Sequence, residues 1–99
     1  MSKEKIGVAI AGLGFGEAVH LPALQSDSLL TPVALWHPRE ERVRKTCQEH
    51  SLQAYTNWTE LLDDPKIEAV IIATPPEVRL KLAKEALSAG KHLLLEKPV

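Results

Sequence analysis

The sequence predicts an α/β fold in which helices cover both faces of an open parallel sheet. Three observations carry that expectation. Short apolar runs alternate with amphipathic stretches along the whole chain. Two of those runs, residues 6–11 (IGVAIA) and 69–73 (AVIIA), have no polar face, as strands buried on both sides require. A glycine cluster stands directly behind the first run, at a strand-to-helix turn.

Taken in order, residues 6–11 read as a buried strand ended by the glycines. A glycine-rich turn and a helix follow over residues 14–25, and Pro22 makes that helix start late, kink or break. Residues 26–31 read as loop and 33–36 as a second strand. Residues 40–50 read as a helix rich in Glu, Arg, Lys and Gln, with Val43, Cys47 and His50 along one face. Residues 54–56 suggest a short third strand. Residues 58–62 suggest one or two helical turns closed by Asp63, Asp64 and Pro65.

Residues 67–73 are the clearest strand, because four of the seven are Ile or Val. Residues 77–89 are the clearest helix, with Val78, Leu82, Ala86 and Leu87 on one stripe and Gly90 placed as its left-handed cap. Residues 92–95 form the last strand. Strands alternating with helices imply right-handed crossovers, hence a single Rossmann-like domain over residues 1–99.

Composition limits the possible functions. The 99 residues are 44% hydrophobic and 25% charged, which argues against disorder. Twelve basic residues against thirteen acidic ones leave a net charge of −1, with no general pull toward nucleic acid or an anionic membrane. No apolar run approaches the roughly 20 residues of a membrane span. Lys3 and Lys5 precede an apolar stretch that resembles a secretory signal, but glycines interrupt it. Glu17 and His20 then stand where small residues belong, so the expectation is a cytoplasmic protein. Cys47 is the one cysteine and reads as a helix-face residue, not a nucleophile. The four histidines form no metal pattern, so no metal is expected.

Gly12-Leu13-Gly14-Phe15-Gly16 carries the first chemical signal. The first glycine permits a tight turn and the second lets main chain approach a pyrophosphate. The helix start then offers free N–H groups to the anion. A glycine-rich turn without a ligand is the plainer alternative. The usual spacing would put a third glycine at position 17, where this chain has Glu17, with Gly16 one place early. That glutamate must point outward, because turned inward it would repel phosphate.

The end of the second strand carries the next signal. Folds that bind NAD commonly place an acid about 20 residues beyond the glycines, to hold the adenosine ribose. Here the stretch is Leu35-Trp36-His37-Pro38-Arg39, with Arg42 one helical turn on. A basic group suits a 2′-phosphate, which favours NADP over NAD. The alternatives are that His37 and Arg39 are solvated loop residues, or that Glu40 reaches back to a ribose and restores NAD.

Two further motifs lie at the same sheet edge. Residues 73–76 (ATPP) make a stiff exit from the strongest strand, and Thr74 and Pro75 stand where α/β sheets bind ligands. Simple turn chemistry would explain them equally well. Glu96-Lys97-Pro98 follows the last strand, where a lysine can exchange a proton with a substrate hydroxyl. A solvated Lys–Glu pair is the plainer reading of that motif alone.

Taken together, AGLGFG at 11–16, HLPAL at 20–24, ATPP at 73–76 and AGKHLLLEKP at 89–98 give a sequence that resembles the N-terminal domain of the Gfo/Idh/MocA oxidoreductases. The resemblance spans essentially the whole chain. It implies that Gly12, Gly14, Phe15 and Gly16 wrap the cofactor pyrophosphate, and that His37 and Arg39 choose between cofactors. It places Thr74 and Pro75 near the nicotinamide side and Glu96 at the nicotinamide ribose. Lys97 corresponds to the family's active-site lysine, aimed by a cis peptide bond before Pro98. Arg79 stands where family members often have histidine, at a position not expected to be catalytic.

The family's second, α+β domain supplies the substrate pocket and often the oligomer interface, and it is not in these 99 residues. The expectation is therefore a piece of a longer enzyme moving hydride between NAD(P) and a sugar- or polyol-like alcohol. Its partner would be a small-molecule substrate, and a homo-oligomer would form through the other domain. Two alternatives remain open: a nucleotide-binding module without turnover, and a biliverdin-reductase- or dihydrodipicolinate-reductase-like enzyme.

Overall fold

A computed structural model describes residues 5–12, 21–27, 29–74 and 76–95. Nine elements follow in chain order: β1 (Ile6–Ala11), α1 (Leu21–Gln25), β2 (Leu30–Trp36), α2 (Glu40–His50), β3 (Gln53–Tyr55), α3 (Trp58–Leu62), β4 (Ala69–Ile72), α4 (Pro76–Ser88) and β5 (His92–Leu95). The strands form one five-stranded sheet in the order β3-β2-β1-β4-β5. Every neighbouring pair is parallel. Among the described residues no helix is long and apolar enough to cross a membrane.

Alternation along the strands divides the core in two. Val8, Ile10, Leu35, Ala69 and Ile71 pack against Leu21 and Leu24 of α1 and Val43 and Cys47 of α2. Ala9, Ala11, Ala34, Val70 and Ile72 face the other way, toward α3 and α4. The alanines on that second face make room for a large side chain, and Trp58 fills it. Its indole N–H donates to the Leu82 carbonyl at 3.2 Å, so the buried polar atom has a partner. Trp36 meets Trp58 edge to face, with centroids 5.5 Å apart. Because α1 and α2 cover one face and α3 and α4 the other, the covering helices change sides between β1 and β4. Ligands of open α/β sheets bind at such a switch point.

Helix ends follow from local chemistry. The Asn57 side chain accepts the Glu60 N–H at 3.1 Å and caps α3. Gly90, at φ +81°, ends α4 in a left-handed turn. Its N–H donates to the Leu87 carbonyl at 3.0 Å, and the Lys91 N–H donates to Ala86 at 3.0 Å.

Two sequence expectations are corrected. The second strand begins at Leu30, three residues early, and contains Pro32. A register irregularity sets Val8 opposite Pro32 but Ala9 opposite Ala34. β3 pairs only with Ala34–Trp36, so the missing proline N–H falls where β2 has one neighbour. The α4 stripe is also different. Leu82, Ala83 and Ala86 are buried, whereas Val78 and Leu87 are exposed, because the helix meets the sheet along a narrower line. The described part of α1, Leu21–Gln25, contains Pro22, and the rest of the predicted stretch, 14–20, lies outside the described residues.

Gly7 was not singled out from sequence, yet the packing depends on it. A Cβ there would stand 2.0 Å from the Lys66 carbonyl oxygen. Gly7→Ala is expected to cost about 1–3 kcal/mol, the usual range for overpacking, read as a lowered urea midpoint with an unchanged slope.

Candidate functional site

Among the described residues, the C-terminal edge of the sheet carries four of the sequence-predicted residues: Gly12, His37, Arg39 and Thr74. Gly12 leaves β1 at φ +101°, and its N–H donates to the Trp36 carbonyl at 3.0 Å. A Cβ on Gly12 would lie 2.8 Å from the Ala73 carbonyl oxygen and 3.5 Å from Thr74 Cγ2. Only glycine therefore lets the exit of β1 lie flush against the exit of β4.

Thr74 forms the other wall of this cradle and is buried, with 8% of its surface exposed. Its hydroxyl oxygen has no hydrogen-bond partner among the described residues. A buried hydroxyl left unmet costs about 1–3 kcal/mol, so a hydrogen-bonding group brought to this point has something to gain. The Thr74 carbonyl accepts a hydrogen bond from Arg79 Nη2 at 3.3 Å. Sequence reasoning set Arg79 aside. The signal that could have found it is electrostatic: a cation in the first turns of α4 sits where the helix dipole disfavours positive charge.

At the end of β2, the His37 N–H donates to the Tyr55 carbonyl at 3.2 Å. His37 Nδ1 accepts the Arg39 main-chain N–H at 3.0 Å. With Nδ1 so engaged, the neutral ring carries its proton on Nε2. Burial, followed by the nearby Arg42 and Arg39 charges, pushes the imidazole below its ordinary 6.5. Arg39 precedes α2 and gives it no side-chain cap. Glu40 Oε2 pairs with Arg44 at 2.6 Å. Both side chains of this pair are about two-thirds exposed, one helical turn apart on α2.

Other polar groups near this edge are structural. Tyr55 donates its hydroxyl to Asp64 Oδ2 at 2.7 Å. Burial and that carboxylate push the phenol up to about 12. Cys47 Sγ lies 3.4 Å from the Gln53 carbonyl, and burial pushes the thiol up to about 11, far from a reactive thiolate. Trp36 Nε1 donates to the Thr56 carbonyl at 3.1 Å and ties the exits of β2 and β3 together. Gly14, Phe15, Gly16 and Glu17, together with Pro75, Glu96, Lys97 and the bond before Pro98, lie outside the described residues.

Comparison with known proteins bears on this geometry. A family model described as "Oxidoreductase family, NAD-binding Rossmann fold" matches residues 6–99. The chain is 43% identical over 93 residues to an uncharacterized oxidoreductase of Synechocystis, covering 93% of this chain and 25% of the relative. It is 31% identical over 97 residues to galactose 1-dehydrogenase of Pseudomonas fluorescens, covering 96% of this chain and 30% of that enzyme. Among solved structures, a 3-ketoreductase from Actinomadura kijaniata in complex with NADP and TDP-benzene superposes with a TM-score of 0.89 at 27% identity. The match covers 96% of this chain and 30% of that one. A protein of gentamicin A biosynthesis, GenD2, in complex with NAD also gives a TM-score of 0.89, at 28% identity, over 97% of this chain and 28% of that one. The chain thus spans between a quarter and a third of the length of these proteins.

Two outcomes follow from the site itself. Thr74→Val keeps the shape and removes the unmet hydroxyl, so it should leave stability unchanged or raise it by up to about 1 kcal/mol in a denaturant melt. His37 is the second case. Its imidazole is held below the ordinary value, so the unfolded chain binds more protons as pH falls through 6.5. Stability should decline across that window, and His37→Asn should flatten part of the decline.

Proposed function

The chain belongs to the Gfo/Idh/MocA oxidoreductase family, and on that footing we propose that the junction of β1 and β4 seats NADP in preference to NAD. The observation that carries this reading is the cradle of Gly12, Ala73 and Thr74, open to close main-chain approach and walled by a buried hydroxyl without a partner among the described residues. Both features fit a dinucleotide, whose phosphate and ribose oxygens would meet donors at this edge.

Each residue has a role in this reading. Gly12, Gly14, Phe15 and Gly16 present main chain to the pyrophosphate. Thr74 and Pro75 bound the nicotinamide side, with Arg79 fixing the Thr74 peptide. Glu96 holds the nicotinamide ribose. The preference for NADP is supported by what the end of β2 offers. The ribose 2′-hydroxyl of NAD asks for an acceptor, yet His37 Nδ1 is taken by the Arg39 N–H and Glu40 is turned along α2 toward Arg44. What remains is donors: His37 Nε2–H and the Arg39 and Arg42 guanidiniums. Donors of that kind suit a phosphate.

The bound nicotinamide supplies the hydride chemistry. The chain's own part is to orient that ring at the sheet edge, exclude the wrong ribose and move a proton. Lys97 would exchange the proton of a substrate hydroxyl as its carbon gains or loses hydride. The likeness to galactose 1-dehydrogenase supports a sugar- or polyol-like alcohol as substrate. A longer protein would provide the substrate pocket.

Titration calorimetry of the chain with NADP+ and NAD+ tests the reading. NADP+ should bind measurably, more tightly than NAD+, and without substrate turnover. Arg39→Ala should weaken NADP+ about tenfold, close to 1.4 kcal/mol, and leave NAD+ within about twofold. Thr74→Val should weaken both. Tighter NAD+ binding would overturn the NADP assignment, and an empty site with both would overturn the whole reading.

A further inference from the structure

We infer that His37 makes the choice between phosphorylated and unphosphorylated dinucleotide proton-linked: it takes up a proton when a 2′-phosphate arrives and stays neutral beside a bare ribose. The inference rests on the NADP reading above and goes beyond it, because the preference then becomes a function of pH.

The geometry at the turn is the starting point. His37 Nδ1 accepts the Arg39 main-chain N–H at 3.0 Å. A second ring proton can go only on Nδ1, since Nε2 already carries one. Protonation therefore ends that hydrogen bond, and the turn opposes it while nothing compensates the loss. With an anion present the balance reverses. The imidazolium adds a positive charge, and the Arg39 N–H it releases becomes a further donor for phosphate oxygen. One proton thus supplies a charge and an amide together.

The surroundings point the same way. From the turn and α2, Arg39 and Arg42 face the imidazole, and both oppose its protonation in the free chain. Glu40 on the same helix is paired with Arg44, and Glu41 is exposed. From β3 the contact is the Tyr55 carbonyl, which accepts the His37 N–H, while the Tyr55 hydroxyl is committed to Asp64. From β1 the neighbour is Gly12, which brings no charge. Among the described residues, the charges that act on the ring are therefore two cations, Arg42 and Arg39. A dianionic phosphate is the group that would offset both cations and favour a third.

The test is the ratio of NAD+ to NADP+ dissociation constants, measured on this chain between pH 8 and pH 6.5. A 2′-phosphate stays largely dianionic in that window, since its second ionisation lies near 6. The ratio should rise about fivefold as pH falls, the size expected when binding lifts a histidine across that range. His37→Asn keeps an oxygen able to accept the Arg39 N–H but does not titrate, and its ratio should stay flat or fall. A measurement that needs no variant stands beside it. The His37 imidazole resonances should titrate at higher pH with NADP+ bound than in the free chain, and should not move upward with NAD+. A flat ratio in the unaltered chain, an equal rise in His37→Asn, or an imidazole indifferent to NADP+ would overturn the inference. If NADP+ still binds more tightly at every pH, the NADP reading survives that failure. If NADP+ shows no advantage at any pH and Arg39→Ala changes nothing, both fall.

Discussion

Where β1 leaves the sheet beside β4, two main chains pass so closely that a single methyl group on Gly12 would press into the Ala73 carbonyl at 2.8 Å. That approach is the constraint on which the rest of the architecture turns. It requires a left-handed glycine at the exit of β1 and places the Thr74 side chain under the same turn. The Gly12 N–H reaches across to Trp36 on β2, so three strand ends are tied at one edge. An equivalent squeeze operates at the opposite end of the sheet, where Gly7 passes the Lys66 carbonyl. β1 is thus held by close backbone contact at both of its ends.

Inside that frame the two sheet faces solve different packing problems. The face toward α1 and α2 is filled by branched side chains of both strands and helices. The face toward α3 and α4 carries alanines on β1 and β2, and the volume they leave is taken by Trp58. Trp58 in turn supports Trp36, the residue just before His37. A continuous set of contacts therefore runs from the interior to the turn that presents His37 and Arg39. Smaller side chains at Trp58 would loosen that turn as well as the core.

Much of this was legible in the sequence, because it rests on local pattern. Residues 40–50 and 92–95 match α2 and β5 to the residue, since period and caps both act over short distances. Gly12 and Gly90 were legible because positive φ leaves glycine as the natural choice. What escaped depends on residues far apart in the chain. Gly7 is required by Lys66, and no periodicity within residues 6–11 could reveal it. Pro32 broke the reading of β2, because its tolerance depends on how far β3 extends alongside. The α4 stripe was misjudged at Val78 and Leu87, because the helix period gives a face but not the width of its contact with the sheet. The Arg79 link to the Thr74 carbonyl was overlooked because comparison of residue types cannot show where a long side chain ends.

The buried hydroxyl of Thr74 is the feature that packing alone explains least. A small domain is stable by about 5–15 kcal/mol, so an unmet hydroxyl that costs about 1–3 kcal/mol is a sizeable concession. Valine has nearly the same shape and would avoid it. Thr74 also stands at the exit of the most apolar strand, beside four residues of β4 that are all buried, where an apolar side chain would suit the setting. Its oxygen has no partner among the described residues, while the carbonyl of the same residue is secured by Arg79. A peptide so fixed, bearing a hydroxyl unmet among the described residues, stands at the strand edge where the helices change sides. At His37 the Arg39 N–H likewise fixes the ring, so the neutral imidazole keeps its proton on Nε2.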